Sequence, residues 1–173
     1  MSLSRVKRLC ADGLLCGAAL ILSYVEALFP VTAVIPVPGF KLGLANVAVM
    51  LAFFRLGVID GVMISLVRVV IVGMLFGSAA SVIYSIAGAC AALVVMGVLK
   101  LLFSRFVSFY GIGILCAAAH NAAQCIAASA VLGSTAVFGY LPVLLIAAIV
   151  TGALTGMIAA LCSRIFCKVE LLR

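Results

Sequence analysis

The chain has 173 residues, 68% of them hydrophobic and only 9% charged, whereas a soluble domain is about half apolar and about a quarter charged. With a mean hydropathy of +1.51, a soluble globular fold is excluded, and the repeated apolar runs predict an all-α membrane bundle and no barrel. The net charge of +7 does not point to nucleic acid, because the basic residues stand singly at the ends of apolar runs and form no patch with interleaved aromatics.

The first predicted span, 9–29, follows Arg5, Lys7 and Arg8. It leads into Tyr24, Glu26 and Pro30 without a small-residue cleavage site, so it reads as a retained helix and not a signal peptide. Gly13 and Gly17 stand four apart on one of its faces, a pattern suited to close helix contact. The next stretch, PVPGFKLGLAN at 36–46, cannot be ordinary helix: Pro36 and Pro38 remove donors, while Gly39 and Gly43 permit positive φ or close approach. It is either an exposed loop or a lid over a site. The second apolar run, 42–56, favours the lid. At roughly fifteen residues it makes ~22 Å of helix against ~30 Å of hydrocarbon, so the preceding turn is expected to complete the crossing.

The third span, 60–76, is expected to be capped by Asp60 and carries Arg68 near its middle. Spans four to six are expected at 79–103, 111–132 and 142–166, with Pro142 in the first turn of the last. In that last span Ala148, Gly152, Gly156 and Ala160 form a second ladder of small residues. Six spans place both termini on one side. With that side cytoplasmic, Arg5, Lys7, Arg8, Arg55, Lys100, Arg105, Arg164, Lys168 and Arg173 are all inside, Lys41 is outside, and Arg68 is in the membrane. The positive-inside rule then predicts a multi-pass cell-membrane protein with cytoplasmic N- and C-termini.

Arg68 is the sharpest chemical signal, since an arginine at mid-span costs about 2.5–3.5 kcal/mol to insert and normally faces a partner or a cavity. Either it pairs with Glu26 or, together with Lys41, it serves an anionic ligand. His120 and Gln124 lie one turn apart with Asn121 beside them, a polar patch that is either helix-to-helix glue or part of the same ligand site. Asn46, at the end of the turn, and Tyr84, with Ser81 nearby, complete the candidate set.

Enzymatic readings are poor. The chain holds four acidic residues and one histidine, with no paired carboxylates for magnesium-diphosphate chemistry, no triad and no P-loop. Its seven cysteines include no C-x-x-C and read as small buried hydrophobes. No metal or cofactor is expected.

The segments PVPGFKLGLANVAVMLAFF, SLVRVVIVGMLFGSAASVIYSIAGA, AAAHNAAQ and YLPVLL, in this order, resemble the Gx transporter family. Its members are often labelled heptaprenyl diphosphate synthase component I and are similar to the substrate-binding S components of energy-coupling factor (ECF) importers. The resemblance implies a six-helix protein that captures a small vitamin-like ligand, a flavin-like molecule among the candidates. It further implies association with a membrane coupling subunit and two cytoplasmic ATPases. S components present an A-x-x-x-A-like face of the first helix to the coupling subunit, and Gly13 and Gly17 are the nearest match here. The alternative is a non-catalytic membrane subunit of isoprenoid or quinone synthesis.

Overall fold

The computed structural model describes residues 5–28, 43–102 and 108–168. Lys41, Pro36, Pro38 and Gly39, and with them the proposed lid, lie outside the described residues. The described chain is helical, without strands. Its helices are α1 (Arg5–Leu28), α2 (Asn46–Leu51, continued by a π-helical turn Ala52–Leu56), α3 (Val58–Phe76), α4 (Ala79–Leu102), α5 (Phe109–Leu132) and α6 (Leu141–Lys168). A 3-10 turn, Thr135–Tyr140, leads into α6. Five of these helices are long and apolar enough to cross a bilayer. The protein is therefore a multi-pass membrane protein.

The sixth apolar segment is shorter than expected. Asn46–Leu56 rises only ~16 Å as helix, and it is apolar on every side, with Val47 through Leu51, Ala52 and Phe53 all buried. A helix that is hydrophobic all round is stable only when enclosed, and α2 is enclosed by α1, α3 and α6. Around it gather Leu15 and Ala19 of α1, Ile64 of α3, Met96 of α4, Cys116 of α5 and Ala159 of α6. Outside this core, Leu14, Ile21, Met63, Met74, Leu101, Ile126 and Ile146 are exposed. They form the apolar surface that a bilayer would cover.

Polar side chains close one end of α2. Lys100 Nζ donates to the carbonyl of Phe53 at 2.7 Å and lies 5.2 Å from the centre of the Phe53 ring. Arg55 Nε donates to Ser163 Oγ of α6 at 2.9 Å. The π-helical turn thus has its loosened carbonyl satisfied and its end fixed to two neighbouring helices.

The tightest packing joins α5 to α6. A Cβ on Gly152 would lie 2.6 Å from the Gly113 carbonyl oxygen and from the Ile114 Cα, and one on Gly156 would lie 2.8 Å from the Tyr110 Cα. The small-residue ladder of α6 is therefore an internal seam, used up within the chain. Gly13 and Gly17 differ: a Cβ on either would meet nothing within 4 Å.

The caps differ from expectation in one place. Asp60 does not cap α3; the N-cap is Gly57, and Asp60 stands in the first turn. There its carboxylate suits the positive end of the helix and pairs with Arg8 at 2.6 Å, tying α1 to α3. Gly133 ends α5 in the left-handed conformation at φ 62, as a C-terminal glycine commonly does.

Candidate functional site

Polar groups converge where the outgoing half of α3 faces α1, the start of α2, α4 and α5. A cavity of about 20 Å³ is lined there by Ser23, Glu26, Gly43, Asn46, Arg68, Val69, Val72, Ser85 and His120. That volume admits about one water molecule.

Arg68 forms the floor of the cavity. Its side chain is only 7% exposed, because a mid-helix position on the inner face of α3 surrounds it with protein. Nη2 donates to Asn46 Oδ1 over 3.4 Å, a long contact by hydrogen-bond standards. Among the described residues its buried Nε has no hydrogen-bond partner. Glu26 lines the same cavity, yet the two groups do not approach within ion-pair distance: among the described residues the ion pair is Arg8 with Asp60. Glu26 instead accepts hydrogen bonds from the backbone N–H of Gly43 and, at 3.4 Å, of Leu44. The glycine is required at that point, since φ of 81° at Gly43 would strain any residue with a Cβ. The carboxylate therefore fastens the chain where it turns into α2, and the guanidinium keeps an unused donor at Nε.

His120 enters from α5 through a gap in α4, where a Cβ on Gly88 would stand 2.7 Å from its Cε1 and Nε2. Ser23 Oγ is buried without a hydrogen-bond partner among the described residues. It lies three residues before Glu26, so it shares that residue's face of α1. Sequence reasoning passed over Ser23 because a serine in a membrane helix is unremarkable alone; its spacing from Glu26 was the available signal.

The other candidates separate from this group. Tyr84 is buried among Cys125, Ala128, Val137 and Leu144 in a second apolar cluster and does not line the cavity. Asn121 donates through Nδ2 to the Leu144 carbonyl of α6 at 3.0 Å, which makes it interhelical glue. Gln124 is buried, with Nε2 unpartnered, but it too is absent from the cavity wall. Of the polar patch on α5, only His120 reaches Arg68's chamber. Among the described residues no three His, Cys, Asp or Glu side chains are grouped to hold a metal ion.

A buried guanidinium with carboxylate, hydroxyl, amide and imidazole groups around one small cavity, enclosed by long apolar helices, defines a polytopic membrane protein with an internal polar site. The chain belongs to the family described as heptaprenyl diphosphate synthase component I, which matches residues 15–162. No curated protein and no solved structure matches it.

Proposed function

We propose that this protein is the ligand-binding membrane subunit of an ECF-type micronutrient importer, capturing a small anionic molecule from outside. The observation that carries the reading is Arg68: a buried arginine in a membrane helix normally marks a substrate path or a paired charge, and Glu26, which attracts it through space across the same cavity, hydrogen-bonds the backbone of Gly43 and Leu44 and is not in ion-pair contact with it. In this reading the bundle crosses the membrane six times, with Asn46–Leu56 and the preceding segment forming one crossing and both termini in the cytoplasm. Partners are a membrane coupling subunit and two cytoplasmic ATPases. The Gly13 and Gly17 face of α1, where an added Cβ would meet nothing within 4 Å, is the surface offered to the coupling subunit.

The family description favours a second reading, a non-catalytic subunit of heptaprenyl diphosphate synthesis. Purification of the tagged chain from its own membrane separates the two. Recovery of ATPases with a coupling subunit supports the importer; recovery of a soluble prenyltransferase without them overturns it. For topology, an impermeant thiol reagent applied outside should label a cysteine placed at Lys41 and spare one at Arg164. The reverse labelling would invert the orientation.

A further inference from the structure

The cavity beside Arg68 is too small for the body of any vitamin-sized ligand, yet a larger space lies directly behind its wall. Between α1 and α3 runs a groove of about 270 Å³ lined by Leu20, Ile21, Tyr24, Ile71, Val72, Leu75 and Phe76. Its sides are apolar and face outward: Ile21, Tyr24, Leu75 and Phe76 are all exposed, and the Tyr24 and Phe76 rings meet at 5.3 Å between centroids. Val72 lines both this groove and the polar cavity. It stands one helical turn beyond Arg68 on the same face of α3. Val72 thus borders both a bilayer-facing apolar groove and the cavity of a buried cation whose Nε has no hydrogen-bond partner among the described residues.

We propose that the ligand is a single-chain anionic amphiphile. Its phosphate or carboxylate head pairs with Arg68, its hydrocarbon tail lies in the α1–α3 groove, and it arrives sideways from the bilayer past Val72. This rests on the reading of the Arg68 cavity as the ligand site. Charge and volume both point this way. A neutral acyl chain of bulk lipid would fill the groove but give nothing to the buried Nε of Arg68, to which Glu26 offers attraction through space and no hydrogen bond, whereas an anionic head supplies an acceptor. A compact anion would satisfy Arg68 but leave the groove irrelevant.

The test is equilibrium binding of radiolabelled dodecyl phosphate to the full chain in phosphatidylcholine nanodiscs, with empty discs subtracted. Saturable binding is expected, weakened ten- to a hundredfold by Arg68→Gln and much less by Arg68→Lys, which keeps the charge. Val72→Phe, which enlarges the side chain beside both spaces, should weaken it at least tenfold while thermal unfolding shows the bundle intact; Val72→Ala should preserve it. Inorganic phosphate, dodecanol and two-chain phosphatidic acid serve as competitors, and each should displace the probe poorly. Displacement by inorganic phosphate as effective as by dodecyl phosphate would overturn the role of the tail while leaving the Arg68 site standing. Equal displacement by dodecanol would overturn the role of the head, and equal displacement by phosphatidic acid would identify a bilayer lipid in place of a single-chain ligand. Binding indifferent to Arg68→Gln would remove the site reading itself.

Discussion

His120 of α5 occupies the space that a side chain at Gly88 of α4 would need, with its Cε1 and Nε2 both 2.7 Å from where that Cβ would stand. The glycine is therefore what lets the imidazole reach the cavity. Gly88→Ala should push the ring aside and destabilise the protein by about 1–3 kcal/mol, the usual range for overpacking. Because the chain has one histidine, the imidazole resonances of an isotope-labelled sample report the displacement directly. An unchanged His120 spectrum in Gly88→Ala would refute the close packing.

The two small-residue faces should respond in opposite directions. Gly152→Ala drives a methyl group into the backbone of α5, which cannot yield as a side chain can, so thermal unfolding should show a loss of about 1–3 kcal/mol or more. Gly17→Ala meets open space and should gain up to about 1 kcal/mol from helix propensity alone. If the α1 face docks a partner, Gly17→Leu should leave the isolated subunit folded while abolishing co-purification. Comparable destabilisation of the isolated subunit by both alanine variants would contradict the distinction.

Arg68 and Glu26 should be separable by mutation. Arg68→Gln should lower affinity for an anionic probe by the worth of a charge-assisted hydrogen bond, about 1.5–3 kcal/mol or roughly ten- to a hundredfold. Glu26→Gln keeps an amide oxygen able to accept from the Gly43 N–H, so it should cost about 1 kcal/mol of stability and leave anion binding equal or tighter, since a negative charge has gone. Equal loss of folded protein in both variants, with normal binding in what survives, would return Arg68 to a structural role.

The end of α2 provides a prediction independent of any ligand. Lys100→Met retains apolar bulk but removes the donor to the Phe53 carbonyl, leaving a buried acceptor unpaired at a cost of about 1–3 kcal/mol. Ser163→Ala should cost less, about 0.5–1.5 kcal/mol, because Arg55 is exposed to solvent and keeps the Ser163 carbonyl. The two bonds anchor opposite sides of one turn, so a double-mutant cycle should show their losses failing to add. Strict additivity would mean that the turn is held elsewhere.

What could be read in advance divides along physical lines. Arg68, Asn46 and His120 stand out in an apolar chain because polar groups there must find partners, and all three line the cavity. Tyr84 and Asn121 carried the same signal but are occupied by packing and by the Leu144 carbonyl, and spacing does not reveal which neighbour a polar group will find. Val72 carried no signal, since a valine is unexceptional in a membrane helix; its position beside two spaces is a property of how α1 meets α3. The five long helices follow from hydropathy. The burial of α2 followed only in part: its shortness was legible, its enclosure was not. The two small-residue ladders look alike in sequence and differ in contact: the one on α6 lies against the backbone of α5, whereas a Cβ at Gly13 or Gly17 would meet nothing within 4 Å.

The enclosure of α2 also bears on how the protein is made. A translocating chain releases its helices in order, yet part of the cover of α2 comes from α6, which is made well after it. Until then a segment only as long as Asn46–Leu56 falls short of the ~20 residues of an independent span. It must wait at the bilayer margin or lean on α1 and α3. The Arg55 to Ser163 bond, joining the two across most of the chain, would then close last and mark completion of the bundle. Chains halted before α6 should accordingly expose α2 to protease in microsomal membranes while α1 and α3 remain protected. Protection of α2 in such halted chains would show that its insertion does not depend on α6.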